Sequence, residues 1–211
     1  MSSDRGVTVV KKPAVFPVSL AEVREWCRVA INDTTEDTTL ALLVAMATGA
    51  AEDLTGRAFV ERTYQLTLDR FERVIALPFP PLIAVTEVAY TDLDGTNQIV
   101  SPADYEIDTV QEPGRVQPKW QKFWPVIQGL GYTFNPVRIT YRAGYEAVGS
   151  PKPAPADYLP PELRVWMHSR MASFYDNRAQ FVIDTRLTNV QVPRDFADGL
   201  LDGLIIGTRY F

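Results

Sequence analysis

Side chains able to do acid–base, nucleophilic or metal chemistry are few in this sequence and poorly grouped. His168 is the only histidine, and its neighbours Met167, Ser169 and Arg170 supply neither a carboxylate nor a second ligand. It reads as an ordinary helical residue at the edge of a packed face. Cys27, the only cysteine, has no partner for an intrachain disulfide and no evident base to activate it. Its place on an apolar helical stripe makes it a buried thiol. Asp92-Leu93-Asp94-Gly95 has the look of a calcium-loop opening, but such a loop needs Gly at its sixth place and Glu at its twelfth, where Asn97 and Ala103 stand. The segment reads as a tight turn. Glu52 and Asp53 are adjacent and point to different helix faces, which is wrong for paired carboxylates. Gly129 to Phe134 (GLGYTF) has two glycines and no strand-loop-helix setting for a phosphate, so it reads as a loop. No catalytic, metal or cofactor site emerges, and the chain reads as a non-enzyme.

Two groups of apolar residues have another use. Trp120, Phe123, Trp124, Tyr132 and Phe134 suit either a stacking platform for a sugar or a base, or a loop-rich edge or subunit interface. The stretch Phe196 to Phe211 ends in Leu204-Ile205-Ile206-Gly207-Thr208-Arg209-Tyr210-Phe211. So apolar a terminus is costly in water unless it folds back or enters a partner.

Composition fits a soluble globular protein: 46% hydrophobic and 22% charged residues over 211 positions, enough to bury roughly 70% of the unfolded surface. The net charge of −5, with no basic run longer than Lys11-Lys12, argues against a surface built to neutralise phosphates. The stretch Leu40 to Ala51 is too short to cross a bilayer and no signal-peptide pattern opens the chain, so the expectation is a cytoplasmic protein without a membrane partner.

Ser19 and Glu22 have the spacing of a capping box, and Leu20, Val23 and Cys27 continue a helix expected to end near Asn32. A second helix carries Leu40, Leu43, Val44, Ala47, Ala51 and Leu54, with Gly56 as its left-handed cap. Its Ala-rich run, Ala45 to Ala51, permits close approach to another helix. Tyr64, Leu66 and Leu68 then alternate with polar residues, as do Val137, Ile139 and Tyr141. Val74 to Leu77, Ile83 to Tyr90, and a return strand from Gln98 to Val100 with Tyr105 to Ile107 complete a β-rich module. Three prolines in Leu77-Pro78-Phe79-Pro80-Pro81 form an elbow expected to hold that module at a set angle to the rest of the chain. Pro151 to Pro161 reads as an extended linker, and Pro161 and Pro193 as the starts of a third and a fourth helix. The third carries Leu163, Trp166, Met167, Met171 and Phe174.

The order and spacing of these segments resemble the head-tail connector, or adaptor, proteins of tailed bacteriophages and gene-transfer agents, in the long variant with a β insertion. The residues carrying the resemblance are VSLAEVREWCRV, ATGAAEDLTGRAF, YQLTLDRF, IALPFPPLIAVTEVAYTDLDG, DYEID, VRITYRAGY and PPELRVWMHSRMASFYDNR, from Val18 to Arg178.

The resemblance implies an α+β chain: an N-terminal arm (1–17), a connector-like helical core of about four helices (18–59 and 156–211) with a C-terminal docking segment, and an inserted antiparallel β-rich module (60–150). It implies a structural virion protein, found in the neck and made in the host cytoplasm during assembly. Such a protein forms a twelve-fold ring under the portal, continues the DNA channel without specific DNA binding, and offers the next surface to a downstream neck or tail protein. Phe196, Leu200, Leu201, Leu204, Ile205, Tyr210 and Phe211 would dock on the portal protein. The alternatives are another neck ring, a stopper or tail-completion protein, or a small carbohydrate-binding module using the aromatic loop.

Overall fold

A computed structural model describes residues 5–11, 13, 15–30, 32–127, 134–145, 158–176 and 199–206. The chain is a mixed α+β protein of two compact units. The first comprises Met1–Ala14, Gly56–Glu146 and Ile206–Phe211, the second Val15–Thr55 and Ala147–Ile205.

In the first unit β1 (Arg5–Lys11), β2 (Arg62–Leu68), β3 (Ile75–Ala76), β4 (Leu82–Thr91), β5 (Asn97–Ile99), β6 (Tyr105–Asp108), β7 (Arg115–Pro118) and β8 (Val137–Ala143) form two antiparallel sheets. The larger runs β1-β2-β8-β4-β5 and the smaller β3-β7-β6. The alternation read from the sequence sets the core. Tyr64, Leu66 and Leu68 of β2 stand opposite Tyr141, Ile139 and Val137 of β8, and all six are buried. A two-residue period puts both sets on one face. Ile75 and Val116 of the smaller sheet join the same apolar cluster.

Three features differ from the sequence reading. Residues 5–11, read as part of an arm, are an edge strand paired with β2. Tyr105 to Ile107 does not return along β4; it pairs with β7, a four-residue strand too short to show a period. The proline elbow lies inside this unit, between β3 of one sheet and β4 of the other, so it sets the angle between the sheets. Each of its proline carbonyls is held. That of Pro78 accepts from the Tyr141 hydroxyl at 3.0 Å, that of Pro80 from the Ala58 amide at 3.1 Å, and that of Pro81 from the Gly144 amide at 2.9 Å. Phe79, at φ 60°, stacks on Tyr64, which stacks in turn on Tyr141. Prolines bring no amide of their own, so an elbow buried at their carbonyls depends on donors from elsewhere.

In the second unit α1 (Leu20–Trp26), α2 (Asp37–Thr55) and α3 (Pro161–Asp176) pack on one another, and a 3-10 helix, Gly199–Leu204, packs on α2 and α3. The capping box of α1 is present: the Ser19 hydroxyl accepts from the Glu22 amide, and the Glu22 carboxylate accepts from the Ser19 amide. The other oxygen of that carboxylate accepts from Arg164 of α3, so one side chain both caps α1 and ties it to its neighbour. Burial alone would raise the pKa of Glu22, but the Ser19 donors and Arg164 bring it below the usual carboxylate value. Arg24 grips Asp37, in the first turn of α2, through both carboxylate oxygens. Helix α1 stops at Trp26, short of Asn32, because Cys27 caps it and Arg28 turns to φ 56°. As read from the sequence, Gly56 takes the left-handed conformation after α2, and Pro161 opens α3.

Two substitutions separate backbone from side-chain constraint at the elbow. Gly144 sits at φ 118°, and a Cβ there would lie 2.6 Å from both the carbonyl carbon and oxygen of Val60. Gly144→Ala is therefore expected to cost more than about 2 kcal/mol of unfolding free energy. Tyr141→Phe keeps the ring and strands the Pro78 carbonyl, at about 1 kcal/mol. Urea titration of both variants checks the order; equal losses would contradict it.

Candidate functional site

The residues singled out for chemistry occupy structural roles. His168 is not at the edge of the packed face but within it, 3% exposed, its ring parallel to that of Trp26 at 4.9 Å. The helical spacing of α3 turns it inward beside Met167 and Met171, and Trp26 closes over it from α1. Burial holds its pKa below the ordinary histidine value; Glu22 and Glu25 oppose that shift and Arg164 adds to it. Cys27 is buried, as its stripe predicts. Asp92 works as a turn residue: its carboxylate accepts from the amides of Asp94 and Thr96 and from the Gln98 side chain. Those donors, Gln98 first, lower its pKa. Among the described residues no three His, Cys, Asp or Glu side chains are grouped to hold a metal, and no helix is long and apolar enough to cross a membrane.

What remains is a set of apolar surfaces. The first is the outward face of α2. Leu42 is 70% exposed and Met46 39%, with Ala45 and Ala50 exposed beside them; Leu54, expected on the core stripe, is 43% exposed because it falls in the last turn, where the core no longer covers it. At Gly49 an added Cβ would meet no atom within 4 Å. The inward face of the same helix buries Leu40, Val44, Ala47 and Ala51. A helix apolar on both faces has a second surface to cover, and the small residues along this one let another backbone come close. The Ala-rich run signalled this surface in the sequence. Leu42 and Met46 were missed, because their i, i+4 spacing lies outside the stripe that the core uses.

The second surface is the loop between β7 and β8. The expected five-ring platform is divided. Trp124 turns inward and stacks on Phe71 at 4.9 Å, with Tyr105 beside it. Trp120, Phe123 and Phe134 stand almost fully in solvent with Val126, while Tyr132 lies outside the described residues. Trp120, Phe123 and Trp124 line a cleft of about 530 Å3 with Arg73, Lys119 and Lys122 on its rim.

The C-terminal segment is described over 199–206 only, so Phe196, Tyr210 and Phe211 lie outside the described residues. The described part of the fourth helix is a 3-10 turn. Gly199 and Gly203 each weaken an α-helix by about 1 kcal/mol relative to alanine. Leu201 is fully buried, Leu200 and Leu204 are half-buried, and Ile205 is exposed. The stretch thus mixes a core anchor with open apolar positions.

No protein-family model matches the chain. No curated protein matches it either. Solved structures do. A chain in the virion of a native gene transfer agent particle superposes with a TM-score of 0.70 at 21% identity, covering 94% of this chain and 94% of that one. A chain in the neck of an empty particle of this kind, computed with C6 symmetry, gives 0.69 at 21% identity over 97% and 99%. A chain in the neck of the native particle, computed with C12 symmetry, gives 0.60 at 20% identity over 95% and 99%. At such identities the likeness is one of fold.

The buried histidine makes a prediction on pH. Because its folded pKa lies below the ordinary value of about 6.5, its contribution to stability is complete above that pH and is lost as pH falls toward the folded value. His168→Phe keeps a ring on Trp26 and removes the titration. The urea midpoint of the wild type is expected to fall more steeply than that of the variant on going below about pH 6.5. Parallel profiles would contradict this account.

Proposed function

We propose that the chain is a structural subunit of the neck of a tailed particle, acting as the head-tail connector: a ring under the portal that links the DNA-filled head to the tail. One observation carries the reading, the agreement in fold with chains of a gene transfer agent's neck over 95% or more of this sequence. The symmetries of those necks, C6 and C12, support a ring, with twelve copies as the proposed number. In this reading the protein is made in the host cytoplasm and resides in the particle's neck. It works by assembly, without catalysis or a cofactor.

The outward face of α2 gives the ring a physical basis. Leu42 and Met46 with the small residues Ala45, Gly49 and Ala50 form a surface that a neighbouring copy would cover as copies pack side by side. The helical unit is then the connector core and the β-rich unit the inserted module. The net charge of −5 suits a channel through which DNA slides, since passage needs weak interaction.

Portal docking is assigned to the C-terminal segment: Phe196, Leu200, Leu204, Ile205, Tyr210 and Phe211, with Leu201 anchoring the segment in its own unit. The downstream neck or tail protein would meet the ring on its other side. The connector is preferred to a stopper or tail-completion ring because the capped α1, α2 and the Pro-started α3 make up a helical core, whereas those rings are expected to be richer in β structure.

Two variants test the two contacts separately. Leu42→Glu with Met46→Glu alters only solvent-facing positions, so the thermal midpoint should stay within a few degrees while ring formation on the portal drops at least tenfold. Ile205→Asp combined with loss of residues 207–211 should leave the fold intact and abolish portal attachment. Light scattering of each variant mixed with the portal measures both. Normal rings from the first variant, or normal attachment by the second, would overturn the corresponding assignment.

A further inference from the structure

The segment from Pro113 to Tyr145 contains five Lys or Arg residues and not one Asp or Glu, in a chain of net charge −5. The rest of the chain therefore carries a net −10. Among the described residues this basic segment holds the most exposed aromatic side chains: Trp120 and Phe123 are each 89% exposed and Phe134 88%, with Val126 at 79%. Around them, Lys119 and Arg73 pair with no carboxylate among the described residues, while Lys122 is engaged by Asp104 at 2.8 Å.

Leaving three large apolar side chains in water has no use in an isolated subunit, and two unpaired cations beside them favour a partner that is both apolar and acidic. A second copy of this chain, whose residues outside this segment carry a net −10, supplies the acidic charge. A two-fold contact centred on this basic patch would set it against itself, whereas a head-to-tail contact sets it against a different face and repeats around a ring.

We propose that the exposed loop bearing Trp120, Phe123 and Val126 seats on an acidic face of the next copy. It gives the ring a second, electrostatically matched contact besides the face of α2. The inference rests on the ring reading above. It goes beyond that reading in naming the loop, the polarity of the contact and the acidic character of the receiving face. The aromatic side chains supply buried area and the Lys119 and Arg73 charges set orientation, so that identical copies add in one direction only.

The experiment replaces Phe123 by the photo-reactive p-benzoylphenylalanine. Because the position is 89% exposed, the core is left alone. Assembled particles carrying this chain are irradiated and the covalent products identified by mass spectrometry. The expected product has twice the 23.7 kDa mass of the chain and joins position 123 to a peptide rich in Asp or Glu from another copy. Joining to the same loop of another copy, to a different neck protein or to nucleic acid would overturn the proposal, as would incorporation into the neck with no cross-link at all. Absence of the chain from the particle would overturn the neck reading itself, an outcome distinct from each of these.

Discussion

Strand β8 is hydrogen-bonded on both sides, to β2 along its whole length and to β4 through two irregularities of register. It joins the β1-β2 and β4-β5 halves of the larger sheet. Its buried side chains, Val137, Ile139, Tyr141 and Ala143, form the floor of the core. Its end supplies the Tyr141 hydroxyl and the Gly144 amide that hold the proline elbow. Its start lies just after the loop that carries the exposed rings. Two of the three donors that hold the elbow thus come from this strand and the residue after it. A slip of one residue would turn its apolar set to the other face and release the elbow.

The helical unit is organised on a smaller number of polar ties. Glu22 closes the α1 capping box and receives Arg164 from α3, and Arg24 reaches Asp37 at the start of α2. These pairs are part-buried. They add orientation to a packing that the apolar faces supply. Because the inner stripe of α2 is already filled by Leu40, Val44, Ala47 and Ala51, its outward pair Leu42 and Met46 has no further use within the unit. This makes the helix suited to both a core and an assembly surface.

The sequence made legible those features that depend on neighbouring residues. The capping box at Ser19, the alternation in β2 and β8, the Asp94-Gly95 turn and the helix start at Pro161 are local signals, and the structure has each of them. Features set by distant partners were not legible. Arg5–Lys11 becomes a strand because β2 offers it an edge, and β6 and β7 pair across strands of four residues. The inward turn of His168 depends on Trp26, more than a hundred positions away. The elbow was recognised from its prolines, but its place between two sheets required knowing that β3 and β4 belong to different ones. Of the candidate surfaces, the aromatic loop was visible by composition, while its division into an inward Trp124 and outward Trp120 and Phe123 came from the packing of Phe71.

The central claim is that copies of this chain form a ring in the neck of a particle. Electron cryo-microscopy of the purified chain mixed with the portal of the same particle tests it most directly. The account predicts a closed ring of this chain appended to the portal, its helical units side by side. A chain that stays monomeric beside the portal, with no added density, would contradict it.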